Sequence, residues 1–287
     1  MDDGTLISEN TSRAGEIPKA DVDDYLIEVD GEMVIPTGLC GGPWDVGAQH
    51  GSAVAATLAR AVESVETLVP MRPARFTVDL LSRVPLTPMR QSVEVVKMGK
   101  QIAVIDARLF SDDRIVARAS ALFIRDGVTL DFPADAKAPA EVPLPPREPM
   151  PAMPGPAFSF PGFWNAMDYM RTRGEMAGGA PASAWMRLRC RVAAGEKPSA
   201  FQRLAVASDM GSGIAGFLPF DRFRTINADI TLHVLRLPAG DWIGLDGDTR
   251  VETDGIGQST AQLFDERGLV GRTQASIHAS EGRPASQ

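Results

Sequence analysis

The chain has 287 residues, enough for one large domain or two ordinary ones with a sizeable core. Hydrophobic residues make up 44% and charged residues 23%, a balance typical of soluble globular proteins. The formal charge of −8, with no basic cluster interleaved with aromatics, argues against a nucleic-acid partner.

Residues 1–21 read as a flexible N-terminus. Met1–Lys19 is polar and acidic and lacks the basic patch and apolar run of a signal peptide. No 18 consecutive apolar residues occur anywhere, so no membrane span is expected and the protein is placed in the cytoplasm. Asp24–Val29 reads as a strand, and Ser52–Leu68 as a helix with small residues (Ala53, Ala56, Ala59) at helical spacing. Period-two alternation marks Arg75–Leu81 as a strand with one buried face. Ser92–Met98, Ile102–Phe110 and Ile115–Ile124 follow as strands joined by short turns such as Met98-Gly99-Lys100. Residues 132–157 are rich in proline, which continues neither a helix nor a central strand, and read as a semi-rigid linker. Beyond it, Ala184–Val192 reads as a strand, Ser199–Phe217 as a helix and Ile230–Leu235 as a strand. Gly211 and Gly213 are poor helix-interior residues, so a break is expected there.

The two halves resemble each other. Leu81–Ile124 and Val234–Ile277 share Arg83 and Pro85 with Arg236 and Pro238, Leu109-Phe110 with Leu263-Phe264, and Val116-x-Arg118 with Val270-x-Arg272. The shift between copies is 153 at Arg83/Arg236 and 154 at Leu109/Leu263, so one single-residue gap aligns the stretch. A helix followed by an antiparallel meander, twice over, gives an α+β layer architecture. Cys40 and Cys190 stand far apart, form no CxxC or Cys/His ligand set, and read as two buried thiols of a reduced cytosol.

Four stretches carry a family resemblance: Trp44–Arg60, Ala207–Phe220, Thr225–Trp242 and Gly271–Ile277. Together they resemble the double-hotdog acyl-CoA thioesterases, the thioesterase II type and its thioesterase-like relatives, over roughly residues 22–280. The resemblance implies a tandem double hotdog, with two long helices each wrapped by an antiparallel sheet. Residues 22–131 would form the N-terminal hotdog, 158–280 the C-terminal hotdog and 281–287 a flexible tail. It also implies an acyl-CoA substrate, fatty acid metabolism, no cofactor or metal, and a homo-oligomer.

In that family an Asp, Thr and Gln of the second hotdog activate water, and the carry-over falls on Asp209, Thr225 and Gln274. Aligning residues 48–56 with 208–216 sets Gln49 opposite Asp209, and the last-strand alignment sets Ser120 opposite Gln274. Chemistry is therefore expected in the second copy. Thioester hydrolysis needs a water, a carboxylate to take its proton and donors for the oxyanion. Backbone N–H groups around Gly211, Ser212 and Gly213 are candidate donors, and His50 and Trp44 candidate substrate-binding residues. No GxSxG elbow suggests a covalent route.

From the residues alone, Asp209 also reads as a helix cap, Thr225 as the first residue of a strand, and Gln274 as a solvated strand residue. His50 reads first as a helix-terminal structural histidine and Trp44 as packing, ahead of substrate binding. Arg222 and Arg224 are candidates for CoA phosphates. The Asp-His pair that often follows the Thr in members acting on fatty acyl-CoA is replaced here by Asn227-Ala228. A hotdog enoyl-CoA hydratase or dehydratase, using a His/Asp pair, stands as an alternative that the expected absence of a histidine near Asp209 disfavours. A non-catalytic acyl-CoA or lipid-binding relative is the other.

Overall fold

A computed structural model describes residues 20–45, 47–133, 135, 142–148, 162–174, 181–216 and 218–282. In chain order the first half forms β1 (Tyr25–Asp30), β2 (Met33–Pro36), α1 (Gly51–Glu63), β3 (Met71–Leu80), β4 (Met89–Met98), β5 (Ile102–Ser111) and β6 (Arg114–Arg125). The second half forms β7 (Met167–Arg173), β8 (Ala182–Leu188), β9 (Arg191–Ala193), α2 (Ala200–Ser208), α3 (Gly211–Ala215) and β10 (Phe223–Asn227). It ends with β11 (Asp229–Val234), β12 (Ile243–Val251), β13 (Ile256–Asp265) and β14 (Gly268–Glu281).

All the strands join one 14-stranded sheet, ordered β7-β8-β12-β13-β14-β11-β3-β6-β5-β4-β2-β1-β9, with β10 also on β14. Outward from the β11–β3 junction the two arms run β14, β13, β12, β8, β7 and β6, β5, β4, β2, β1. This mirrored order is what a duplicated unit produces. The junction is antiparallel, pairing Thr231 with Thr77, and carries the sheet across both halves without an edge. The counterpart of β3 is β10 and β11 together, interrupted at Ala228, whose N–H turns to Ser276 and whose carbonyl accepts from Leu80. The expected strand over 184–192 is split: β8 ends at Leu188, and β9 crosses to pair in parallel with β1.

Inside the sheet lie the helices. Ten of the thirteen residues of α1 are buried, most of them alanine or valine, and the small side chains let strands approach on several sides. Antiparallel to it runs α2, as the contacts at both ends show. At the C-terminus of α1, Glu63 accepts from Ser199 Oγ at 2.7 Å and Gln202 Nε2 at 3.0 Å, both at the N-terminus of α2. Burial raises the Glu63 pKa, and those two donors only partly offset it.

The expectation of two long helices needs correcting. The first stops at Glu63, short of Leu68, and the second is two short segments broken at Asp209-Met210, just ahead of the glycines. Gly211 explains the offset: a Cβ there would lie 2.6 Å from Ser259 Oγ on β13, so only glycine lets α3 start so close to the sheet.

Most of the proline-rich stretch 132–157 lies outside the described residues. Its described part packs on the second half, where the Pro146 carbonyl accepts from Trp185 Nε1 at 3.0 Å and Arg147 covers the Trp185 ring. Cys40 and Cys190 are free, buried thiols, and burial pushes both pKa values up to about 12.

Candidate active site

The antiparallel helices bring the start of α1 against the end of α2, and the polar groups gathered there are unusual for so apolar a core. Asp209 is the C-cap of α2 and only 6% exposed. A buried carboxylate needs donors, and it has them. Asn227 Nδ2 donates to Oδ1 at 2.7 Å and to the Asp209 carbonyl at 3.0 Å. Ser52 Oγ donates to Oδ2 at 3.0 Å. Asn227 is itself fixed, since its Oδ1 accepts from Ser212 Oγ at 2.9 Å. The break at Ala228 ends β10 at Asn227, beside the helix break at Asp209-Met210.

Beside the carboxylate stands His50, the N-cap of α1, with Nδ1 3.2 Å from Asp209 Oδ2. Its ring stacks on Phe163 at a centroid distance of 4.8 Å and meets Trp164 edge-on at 6.4 Å. These groups open onto a cavity of about 420 Å³ that Asp209, His50, Ser212, Gly213, Thr225 and Asn227 help line. Trp44 and Phe220, 5.8 Å apart, supply an aromatic wall. Glycine is required at the start of α1 because a Cβ on Gly51 would lie 2.6 Å from Asp209 Oδ1. At α3 the N-cap Met210 makes no side-chain cap, so the first-turn amides, including those of Ser212 and Gly213, have none.

Asp209, Thr225, Ser212, Gly213, His50 and Trp44 are thus brought to one cavity; Gly211 lies behind it, against β13. No hydrogen bond joins Thr225 to Asp209 among the described residues. Gln274 is not brought there. It is an exposed residue of β14, whose buried face carries Thr273, Ala275 and Ile277. The placement of the Gln is corrected accordingly: side chains alternate along a strand, so a one-residue change of register moves a residue to the opposite face. The inward neighbour, Thr273, donates through Oγ1 to the Ser208 carbonyl at 2.9 Å and braces the end of α2.

The pairing of Gln49 with Asp209 also changes meaning. Gln49 precedes the N-cap of α1 whereas Asp209 follows α2, so the two occupy opposite ends of their helices and meet in one cavity. The premise that no histidine stands near Asp209 is overturned by His50. Ser52 and Asn227 were missed as site residues. Arg224 and Arg83 both line the cavity, and the Arg83 guanidinium holds the Asp45 carboxyl down to about 2.

Two family models match the chain: the acyl-CoA thioesterase N-terminal domain over residues 41–124 and the acyl-CoA thioesterase C-terminal domain over residues 139–276. The chain belongs to the acyl-CoA thioesterase family. Solved structures agree on the hotdog fold of this thioesterase-family chain. A hot dog fold protein of unknown function from Alicyclobacillus acidocaldarius matches with a TM-score of 0.66 at 17% identity, over 90% of this chain and 96% of that one. A tesB protein of Mycobacterium avium subs. paratuberculosis matches with a TM-score of 0.62 at 15% identity, over 88% and 96%. An acyl-CoA thioesterase II from Mycobacterium marinum gives 0.59 at 14% identity, over 91% and 96%. The search of curated proteins returned no match.

Proposed function

We propose that this thioesterase-family chain hydrolyses an acyl-CoA thioester to the free acid and CoA, with Asp209 as the group that activates water. The observation that carries this reading is a buried carboxylate, held by Asn227 and Ser52, opening onto a cavity between two helix starts. Each carboxylate oxygen has two lone-pair directions, so Asp209 can still accept from a water in the cavity after binding its two donors. Thr225 would hold that water from a second side. Asn227 is the positioning residue, fixing the carboxylate without adding charge. The amides of Gly51, Ser212 and Gly213 would receive the oxyanion, and the aromatic wall of Trp44 and Phe220 would take the acyl group. Gln274 has no part in this scheme.

The chemistry balances simply. The water oxygen bonds to the thioester carbon while its proton moves to Asp209. The C–S bond then breaks, and the sulfur recovers that proton to leave as CoA thiol.

A second reading, hydration of an enoyl-CoA, is favoured by one observation: His50 stands 3.2 Å from Asp209. It ranks second because His50 turns Nδ1 toward the carboxylate, so the two groups face each other instead of converging on a substrate double bond. A free-thiol assay across acyl-CoAs of graded chain length tests both. Thiol release supports hydrolysis. Loss of enoyl absorbance without thiol release would support hydration instead, and neither signal from any substrate would refute both.

A further inference from the structure

Ser52 makes two hydrogen bonds that together fix a proton on its neighbour. Its hydroxyl goes to Asp209 Oδ2 at 3.0 Å, and its backbone N–H goes to His50 Nδ1 at 3.1 Å. A ring nitrogen that accepts an N–H must present its lone pair, so a neutral His50 carries its proton on Nε2. The carboxylate beside Nδ1 does not reverse this, because Ser52 bridges the two acceptors with one donor each. No described residue accepts from Nε2, although the ring lines the cavity and is clamped by Phe163 and Trp164.

A fixed N–H donor on a ring that lines the cavity, next to the group that would activate water, suits an electrophile. We propose that His50, as its Nε2–H tautomer, donates a hydrogen bond to the thioester carbonyl oxygen and so joins the backbone amides as a catalytic oxyanion donor. This rests on the hydrolytic reading above and assigns His50 a role distinct from that of a base. As water adds to the carbonyl carbon and its proton moves to Asp209, negative charge grows on the oxygen that Nε2–H meets. The ring keeps its own proton throughout, and its Nδ1 stays on Ser52. Holding Nδ1 with a backbone amide is what keeps the donor aimed outward.

Three readouts test this on the full chain. The protein has three histidines, so long-range ¹H–¹⁵N spectra of labelled protein, assigned by loss of one set in His50→Asn, resolve the ring. At neutral to mildly alkaline pH the expected result is a protonated Nε2 and a bare Nδ1; a protonated Nδ1 would overturn the proposal. Binding a ketone analogue of acyl-CoA, with a methylene between carbonyl and sulfur, should move the Nε2–H resonance downfield. An unmoved resonance in the saturated complex would overturn it. This arm needs no turnover, so it separates failure of the proposal from failure of the hydrolytic reading. In kinetics, His50→Asn keeps a cap for the Ser52 N–H but withdraws the outward donor. Its kcat should fall about 10²-fold, the usual loss for one oxyanion donor, with KM and melting temperature near native. His50→Gln, which reaches further with an amide N–H, should recover part of the loss. Native kcat in His50→Asn would refute the assignment.

Discussion

Asn227 neutralises nothing, and Asn227→Asp shows why that matters. The substitution removes the 2.7 Å amide donor to Asp209 and sets a second carboxylate in the same place. Two unit charges about 4 Å apart interact by about 4 kcal/mol at an effective dielectric of 20. The pair can escape that cost by keeping one proton. From a free Asp pKa near 3.9, holding a proton at pH 7 costs about 1.36 kcal/mol per unit, or roughly 4 kcal/mol. The two routes are comparable, so a loss of about 3–4 kcal/mol is expected at pH 7. The sign follows from linkage: the introduced pair binds a proton in the folded state that the unfolded chain has released. Stability of the variant relative to native therefore falls as pH rises from about 4 and is nearly restored at and below it. Urea denaturation of both proteins between pH 4.5 and 8.5 measures the difference. A gap independent of pH would refute the reasoning, because a mere loss of one hydrogen bond does not titrate.

Other expectations concern the surrounding geometry. Gly51→Ala places a Cβ 2.6 Å from Asp209 Oδ1; overpacking of about 1–3 kcal/mol is partly offset by alanine's helix preference of about 1 kcal/mol. The melting temperature should shift little, while kcat falls at least tenfold as the carboxylate is displaced. Gln274→Ala should leave thioester hydrolysis within about twofold of native, since that side chain is exposed on the outer face, whereas Thr273→Val should destabilise by about 1 kcal/mol by removing the bond to Ser208. Matched melts and rate assays on the two variants separate these outcomes. Asp265 is buried, which raises its pKa, but Arg236 and the amides of Ala239 and Arg267 more than offset this and hold it at about 2. Its stabilisation is therefore present above about pH 4 and lost as pH falls toward 2. Asp265→Asn should cost about 2 kcal/mol at pH 7 and much less at pH 3, as read from denaturation curves.

Some strands of each half were legible because one face of each is buried, which imprints alternation on the sequence. β3 and β11 fall within a few residues of segments that alternation marks, and β5 and β6 match the strand segments set between turn signals. The repeat was legible in Arg83/Arg236 and Leu109-Phe110/Leu263-Phe264, and the mirrored strand order agrees with it. β2 and β7 were not anticipated, and β9 was read as a continuation of β8: it has three residues, too few to show a period, and its partner lies in the other half. Within the site, Asp209 could be named from its local motif. Its partners could not, because Ser52 and Asn227 reach it across 157 and 18 residues of sequence, and no local pattern records such a contact. Gln274 failed for the opposite reason: a strand motif gives residue type and approximate place but leaves the face undetermined until the register is known. His50 was recognised as a helix-start residue, and its approach to Asp209 exists only once the two helices lie antiparallel.

The central claim is that the Asp209 carboxylate takes the proton of the attacking water. Single-turnover thiol release by Asp209→Asn, which keeps the shape and the acceptor carbonyl but not the charge, tests it most directly. The account predicts a chemical step slower by about 10²-fold or more, with acyl-CoA binding and the melting curve near native. An Asp209→Asn protein that releases thiol at the native rate would contradict it.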